Sequence, residues 1–517
     1  MHKKILVSRI MIVFVVMATT GALTASAGNF KAGSLVQVTG ASPFANCTAD
    51  NVAGQSGTVF HNSEVEPWVD VNSVNPKNVV GAVQQDRWSN GGARGLVAGV
   101  SFNGGKTWQT VVIPGITLCS GGSYDRSTDP WVTFSPNGVV HQLALSFNDV
   151  APPFEPRDFD HALLASKSTD GGLTWSEPIE VIRDLDANVF NDKQSITADP
   201  HDSNFVYAVW DRLIFPSSER ASVIAGFVTD AFRGPAWFSR TTDGGETWES
   251  ARQIFDPGQE SQTIGNQIVV LPDGDLVNVF DLITIQRGAL PTGALYNVAL
   301  IRSEDRGVTW GPQAQSGKIV PITISRLRTI GVTDPETGDP VRTGDIIPDI
   351  AVDPTSGVLY AVWQDARFNG FAADGIVFSQ SLDGGFTWSP PIKVNQTPAG
   401  IPLGNRQAFT PSVDVAADGT IAVTYYDFRN NDSGADLKTD YFVIHCHPSA
   451  GCTNPANWGN EIRLTNTSFD MRQAPLAAGF FVGDYEGLAS DGSDFVAFFS
   501  QPHGSDPSSV FFRRVGP

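Results

Sequence analysis

Paired apolar segments recur along the chain and predict antiparallel hairpins. In one pair, residues 349–365 (DIAVDPTSGVLYAVWQD), two runs rich in Ala and Val flank a Ser-Gly turn. Runs of this composition are typical of strands buried on both faces, and such turns favour tight hairpins. The pattern predicts an all-β fold with covered inner strands. Seven such pairs begin near Trp68, Trp131, Ser195, Gln267, Asp349, Ser412 and Gly487.

A second pattern, Ser/Thr-x-Asp-x-Gly-x-Thr-Trp, lies between these pairs. It occurs at residues 168–175, 241–248, 303–310 and 381–388, and residues 101–108 carry a variant with Asn103. The acidic or amide side chain can accept backbone N–H bonds, and the Gly allows a positive φ. The eight residues therefore predict a tight turn, after which the Trp opens the next strand.

These turns resemble the Asp box of the sialidase-like β-propeller superfamily. In that family the Asp box is a structural turn remote from the active site, so the resemblance implies a scaffold role for these Asp and Trp residues. It also implies a propeller of four-stranded antiparallel blades, exported from a bacterial cell.

The spacing of the repeat predicts the number of blades. The Trp residues of the five boxes are 67, 73, 62 and 78 positions apart, and Trp458 follows 70 positions later. A fixed period of this length is the mark of a repeat architecture, and residues 28–517 correspond to seven such units. We therefore expect one domain, a seven-bladed propeller, where sialidases have six blades. The last unit lacks its fourth strand, which we expect residues 34–39 to supply, closing the ring.

The first 27 residues predict a secretory signal. Lys3 and Lys4 precede an apolar run and an Ala-Ser-Ala cleavage site. Its removal takes away three basic residues and no acidic residue, which changes the net charge from -20 to -23. A protein with this net negative charge is not expected to bind nucleic acid or anionic membranes, because both attract basic surfaces. We expect a secreted monomer with no membrane span, no metal and no cofactor, whose partner is a carbohydrate.

Four cysteines permit two disulfides in an oxidising compartment, and the count alone leaves three pairings open. The sixth unit has residues 446–452 where its Asp box should be. We expect Cys446 and Cys452 to close that turn. Cys47 and Cys119, in loops that flank the first unit, then remain to pair.

Function is expected at the ends of the strands opposite the Asp boxes. Loops that enter the inner strands place there Glu64, Glu66, Asp129, Asp192, Lys193, Asn266, Gln267, Arg406, Asp484, Tyr485 and Glu486. These residues differ from unit to unit, as catalytic residues should. The second strands end there in an Asp followed by Arg, a recurring pair that equally suits scaffold ion pairs. Two long connections, 311–347 and 466–486, are further candidates.

The resemblance to sialidases suggests roles for these residues. It implies Tyr485 as nucleophile, Glu66 as its activating base, with Glu64 as an alternative, and Asp129 as acid/base. An anionic sugar would be held by Arg side chains and by polar groups, here Arg87, Arg212, Arg367, Arg429, Glu64 and Asp192. The chain departs from the family by reading Glu66-Pro67-Trp68 where sialidases carry Arg-Ile-Pro.

Three functions are compatible with these residues. An exo-glycosidase of sialidase type needs carboxylates or a Tyr-carboxylate pair in one pocket. A polysaccharide lyase needs a base and a cation to neutralise a uronate. A binding propeller needs only a polar and aromatic rim. The products discriminate, because a lyase leaves an ultraviolet-absorbing end, a hydrolase does not, and a binding protein leaves no product.

Overall fold

The computed structural model describes residues 30–52, 54–148, 159–215, 233–286 and 293–517, and the predicted signal at 1–27 lies outside them. Within these ranges the protein is all-β, with no α-helix and six short 3-10 helices. No helix in the described ranges is long and apolar enough to cross a membrane. The 3-10 helices are Leu118–Ser120, Arg367–Asn369, Leu403–Arg406, Pro448–Ala450, Pro455–Asn457 and Met471–Gln473.

Most strands form consecutive antiparallel sets of four, in which each strand pairs with the next along the chain. The first three sets comprise β3 (Glu64–Val71), β4 (Val79–Arg87), β5 (Ala93–Ser101) and β6 (Gln109–Val112); β7 (Arg126–Phe134), β8 (Val140–Phe147), β9 (His161–Ser168) and β10 (Ile179–Asp184); and β11 (Val189–Ala198), β12 (Val206–Ile214), β14 (Ala236–Thr241) and β15 (Arg252–Phe255). The short β13 (Arg233–Gly234) bridges the third set to the next.

The next three sets follow the same order. They comprise β16 (Ser261–Val270), β17 (Leu276–Gln286), β18 (Gly293–Ser303) and β19 (Ile322–Leu327); β22 (Asp349–Val352), β23 (Leu359–Asp365), β24 (Gly375–Ser381) and β25 (Ile392–Lys393); and β26 (Ala408–Val415), β27 (Ile421–Asp427), β28 (Lys438–Cys446) and β29 (Gly459–Arg463), with β30 (Phe469–Asp470) also on β28.

The two ends of the chain meet in the terminal set. Its strands are β32 (Gly487–Asp491), β33 (Asp494–His503) and β34 (Asp506–Gly516), and the N-terminal β1 (Lys31–Ala32) and β2 (Val36–Gln37) both pair antiparallel with β34. The expected pairing of the N-terminal segment with the last strand is thus present. Gly33 interrupts the N-terminal strand but still donates its N–H to the Arg514 carbonyl, at 2.8 Å.

The hydrophobic core lies between neighbouring sets. One cluster joins Tyr360 and Phe378 of the fifth set to Val423 and Ile444 of the sixth, and others repeat this arrangement along the chain. The Trp that ends each turn contributes to these interfaces. Trp310, for example, packs edge-on against Phe238 of the preceding set, with ring centroids 5.6 Å apart. Burial of such large side chains is the main force that holds one set against the next.

The Asp-box turns have the hydrogen bonds that their sequence predicts. In the turn of the fifth set, Asp383 Oδ1 accepts from the Thr387 N–H at 2.9 Å, and Asp383 Oδ2 accepts from the Thr387 hydroxyl at 2.6 Å. The Trp388 indole N–H donates to the Gly385 carbonyl. All these contacts are internal to the turn, which supports a scaffold role.

Both disulfides join the pairs expected from the sequence, Cys47–Cys119 and Cys446–Cys452. The second closes the turn that lacks an Asp box. There the Trp458 indole donates to the Cys452 carbonyl at 2.8 Å, as Trp388 does to a box carbonyl. The disulfides agree with an exported protein, because such bonds persist in oxidising compartments.

The two long connections 311–347 and 466–486 meet in a small separate sheet. Its strands are β20 (Val332–Thr333), β21 (Pro340–Arg342) and β31 (Phe480–Phe481). β21 pairs antiparallel with β20 and parallel with β31, although the two connections are far apart in sequence. The sheet thereby fixes both connections beside the inner strands.

Candidate functional site

Inner strands of several sets carry the same irregularity where they begin. The ladder shifts register between Val65 and Trp68 of β3, and equivalent shifts occur in β7, β11, β16 and β26. At each shift one residue is left-handed, with φ between 47° and 69°: Glu66, Asp129, Lys193, Gly265 and Thr410. A bulge of this kind re-aims a side chain, and a left-handed non-glycine residue is strained. The same left-handed position therefore recurs in five strand sets, and the residue type at that position differs from set to set.

Three of these residues meet at a buried ion cluster. The Lys193 Nζ contacts Glu66 Oε1 at 3.1 Å, Asp129 Oδ1 at 2.7 Å and Asp484 Oδ2 at 2.7 Å. The carboxylates are 5% exposed or less, and the Lys193 side chain is 10% exposed. We call Glu66, Asp129, Lys193 and Asp484 the Lys193 cluster. One ammonium, from β11, thus balances three acidic groups contributed by β3, β7 and the loop before β32.

Two arginines extend the cluster. Arg342, from β21 of the small sheet, donates its Nε–H to Asp484 Oδ1 at 3.0 Å and also binds Asp484 through Nη2. The guanidinium carbons of Arg342 and Arg87 lie 4.5 and 5.1 Å from the centroid of the Phe481 ring. Arg87 donates to Gln84 at 2.8 Å, and Gln84 also binds Glu66.

The environment shifts the pKa values of two acid groups in the cluster in opposite directions. Burial and the negative charge of Asp129 raise the pKa of Glu66 to about 7, against the opposing attraction of Lys193. Burial also disfavours the charge of Asp484, but Arg342 and Lys193 hold the pKa of that carboxyl well below its usual range. Near neutral pH, Glu66 therefore exchanges a proton while Asp484 stays ionised.

Two cavities open beside the cluster, and both are lined by Asp192, Lys193 and Arg342. The larger, of about 430 Å³, lies between Asp484 and the connection that carries β20 and β21. Its walls include Ile330, Val332 and residues 340–347. The smaller, of about 70 Å³, reaches Asp129 and Arg87. The larger cavity has the volume of a ligand pocket.

The structure brings Tyr485 close to the cluster but turns its hydroxyl elsewhere. The Lys193 Nζ lies 5.8 Å from the centroid of the Tyr485 ring, and the ring packs against Trp68 and Trp131. The hydroxyl donates to the Pro130 carbonyl at 3.4 Å. Burial and the carboxylates of Glu66 and Asp129 raise the pKa of Tyr485 well above its usual value. Its hydroxyl thus stays protonated.

The remaining candidates from the sequence are dispersed. Asp192 lines both cavities, and Arg87 lines the smaller one. Glu64 is buried and accepts hydrogen bonds from Thr39 and Gln85, each at 2.7 Å, and lines neither of the two cavities.

Three of the four expected sugar-binding arginines form ion pairs outside the cluster. Arg212 binds Asp184, Arg367 binds Asp365, and Arg429 binds Asp427 together with Glu461. Over the described parts of the chain, their hydrogen bonds and ion pairs involve no residue of the Lys193 cluster. The pair at Asp427 thus braces its own strand set, whereas Arg367 also donates to Ser325 and to the Arg326 carbonyl of the preceding set.

The sequence analysis assigns no role to three members of the cluster and its surroundings: Lys193, Asp484 and Arg342. Lys193 and Asp484 are among the residues expected at this end of the strands, where they differ from unit to unit. Arg342 lies in the 311–347 connection, where the unusual length pointed to function. Its pairing with Asp484 depends on the small sheet.

The chain is similar over most of its length to several solved structures. One is a protein of unknown function from Dyadobacter fermentans (14% identity, TM-score 0.47, 95% of this chain and 99% of that one). Others are the α-L-arabinofuranosidase Arb93A from Fusarium graminearum (11%, 0.42, 94% and 98%) and the NanB sialidase from Streptococcus pneumoniae (10%, 0.41, 94% and 98%). Sialidases and arabinofuranosidases are its structural neighbours. These similarities concern the course of the chain and not its activity. No protein-family profile and no curated protein matches the chain.

Proposed function

We propose that the protein is a secreted glycan-active hydrolase of the exo type, with the Lys193 cluster as its active site. The observation that carries this proposal is the meeting of ionisable carboxyl groups with divergent pKa values beside a cavity of ligand size. Pairs of such groups are the usual basis of acid/base chemistry on glycosidic bonds. A cavity with the small sheet as part of its wall suits the terminal sugar of a chain, and therefore exo action.

Within this site we assign Glu66 as acid/base, with Asp129 as the alternative from the sequence, and Asp484 as the carboxylate that stays ionised. Glu66 and Asp484 have oxygens 3.1 and 2.7 Å from the Lys193 Nζ, so these oxygens are less than about 6 Å apart. This is nearer to the ~5 Å separation of retaining glycosidases than to the wider one of inverting enzymes. Glu66 holds a proton near neutral pH, which limits the negative charge buried around Lys193.

Tyr485 remains the alternative nucleophile, as the resemblance to sialidases implies, with Glu66 as its base. The Tyr485 hydroxyl donates to the Pro130 carbonyl, which favours the ionised carboxylate of Asp484 over Tyr485 as the nucleophile. Replacement of Tyr485 by Phe discriminates between the two mechanisms. The carboxylate mechanism predicts turnover within about tenfold of the parent, whereas a tyrosine nucleophile predicts loss of about 10³-fold or more.

A substrate screen tests the proposed activity directly. Sialyllactose, arabinan oligosaccharides and polygalacturonate would be incubated with the purified protein, and reducing ends and ultraviolet absorbance would be followed. New reducing ends without absorbance support a hydrolase. Absorbing products would replace the proposal by a lyase, and binding without cleavage would replace it by a glycan-binding protein.

We further propose that residues 28–517 form a single, closed, seven-bladed propeller. In support, the inner strands contact one another in cyclic order, β3 with β7, then β11, β16, β22, β26 and β32, and β32 again with β3. Pairing of β1 and β2 with β34 would lock the ring. Deletion of residues 30–40 should then lower the melting temperature by about 10 °C or more. An unchanged melting temperature in calorimetry would contradict ring closure by this segment.

A further inference from the structure

A loop beside the larger cavity exposes an aromatic ring in a strained conformation. The loop, residues 366–374, carries Phe371, which is 51% exposed and has φ of 60°. A bulky residue in this left-handed region is an outlier that costs free energy. Strained positions that persist cluster at ligand-binding sites. A ring with half of its surface in water gains only part of the free energy of burial, and a ligand that covers it would supply the rest.

The loop is tied at both ends to the wall of the cavity. The Ala366 N–H donates to the Arg328 carbonyl at 2.9 Å. At the other end, Asp374 Oδ1 accepts from the Ile330 N–H at 3.1 Å. Ile330 lines the larger cavity and is itself 51% exposed, so it lies at the cavity mouth. These bonds hold Phe371 in a fixed relation to that mouth.

A cation accompanies the ring. The guanidinium carbon of Arg328 lies 5.6 Å from the centroid of the Phe371 ring. The Arg328 side chain is exposed and forms no ion pair with a carboxylate in the part of the chain that the structure describes. An aromatic face can stack on the apolar face of a sugar ring, and a guanidinium can donate to sugar hydroxyls. The pair thus offers both kinds of contact that a sugar unit needs.

We propose that Phe371 and Arg328 form a second sugar-binding subsite outside the larger cavity. It receives the unit adjacent to the terminal sugar that occupies the cavity, so the site prefers oligosaccharides to monosaccharide glycosides. This inference rests on the proposed function for the identity of the cavity's occupant. The two subsites are joined by the chain itself, because Arg328 is two residues before Ile330, which lines the larger cavity.

The test compares substrates of two lengths in the Phe371→Ala variant. The probes are sialyllactose, arabinotriose and trigalacturonate, each beside the methyl glycoside of its terminal sugar, which leaves the second subsite empty. For the trisaccharide that is cleaved, kcat/KM should fall about tenfold, because loss of one stacking contact is worth about one order of magnitude. The methyl glycoside should be cleaved as before. Phe371→Tyr, which keeps the ring, should retain the parent's preference for length.

The matched control is Phe386→Ala. Phe386 is also 51% exposed and also has an arginine, Arg302, against its ring, at 4.2 Å. It lies in the Asp-box turn that follows β24, whereas the Phe371 loop precedes β24. The control should leave both kinds of substrate unaffected.

Binding of the same probes by calorimetry separates failure of the subsite from failure of the enzyme. If cleavage occurs but Phe371→Ala changes kcat/KM equally for the long and the short substrate, or for neither, the proposed subsite is wrong and the hydrolase proposal stands. If no probe is cleaved but trisaccharides bind more tightly than methyl glycosides, and Phe371→Ala removes that difference, the hydrolase is wrong and the subsite stands. Absence of both cleavage and binding overturns both proposals.

Discussion

The two ends of the repeated strand set have opposite chemistry, although one sequence repeat produces both. At the Asp-box end, each turn uses the same residues for the same internal hydrogen bonds, and even Asn103 replaces Asp with equivalent contacts to Thr107. At the other end, equivalent bulges carry Glu66, Asp129, Lys193, Gly265 and Thr410. The scaffold end repeats both its residues and its geometry. The candidate site repeats the geometry of the bulge, but the residue at the bulge differs from set to set.

The largest effect is expected from Asp484→Asn. Loss of the ionised carboxylate should lower kcat by about 10³-fold on any substrate found in the screen, because the charge that stabilises the transition state disappears. Steady-state kinetics measure this, with melting curves to establish that the variant is folded.

The control for Asp484→Asn makes the same chemical change at the scaffold end. Asp383→Asn should retain activity and stability, because Asn103 already fills this position in another turn. Loss of activity in a stably folded Asp383→Asn variant would contradict the contrast between the two ends. Retained activity in Asp484→Asn would remove Asp484 from the mechanism.

A second prediction concerns the cation of the cluster. Lys193 favours the ionised forms of its neighbours, so Lys193→Met should raise the pKa of Glu66 above about 7 and shift the pH profile of kcat/KM upward. A nearby opposite charge typically shifts a carboxyl pKa by about 1 to 3. Lys167→Met removes a lysine that contacts Glu246 of an Asp box, at 2.6 Å, and should leave the profile in place. An equal shift in both variants would refute the assigned role of Lys193.

The third prediction is that stability falls between pH 5 and pH 8. Burial raises the pKa of Glu64 to about 8 and that of Asp211 to about 8, and burial with Asp129 raises that of Glu66 to about 7. The folded protein therefore binds more protons than the unfolded chain, which ionises near pH 4. This stabilisation is complete below the unfolded pKa and is lost as pH rises through the folded pKa.

The melting temperature should accordingly be about 5 °C or more higher at pH 5 than at pH 8. Glu64→Gln should reduce that difference. The Asp-box carboxyls act in the opposite sense: hydrogen bonds outweigh slight burial and lower the pKa of Asp243 to about 2, so their contribution is lost only in stronger acid. A melting temperature that rises from pH 5 to pH 8 would contradict the protonated state of the buried acids.

The smallest effect is expected from Asp383→Ala. The Thr387 N–H and hydroxyl and the Ser381 hydroxyl lose their shared acceptor, which should cost about 1 to 3 kcal/mol in the free energy of unfolding. Denaturant unfolding measures this cost. Catalysis should be unaffected, and an inactive variant of parental stability would overturn the scaffold role of the turn.

The sequence by itself determined the strand repeat, the Asp-box turns, both disulfides and the pairing of the chain ends. Each depends on local chemistry or on the period of the sequence repeat. A turn needs its Asp and Gly within eight residues, and the need for a fourth strand follows from the number of strands in the last unit. It also placed Glu66, Asp129 and Tyr485 at one end of the strands, and in the structure all three lie at or beside the Lys193 cluster.

Only the tertiary structure decided which of those residues act together. No local signal marks the bulges that turn Glu66, Asp129 and Lys193 toward one another, since each depends on a register shift against the partner strand. The pairing of Arg342 with Asp484 likewise requires a sheet between the two connections, in which Arg342 pairs with Phe481, 139 residues later in the sequence. Arg212, Arg367 and Arg429 share with Arg87 an Asp-Arg or Asp-x-Arg context, and which arginine faces the cavity depends on packing between sets, which no local pattern encodes.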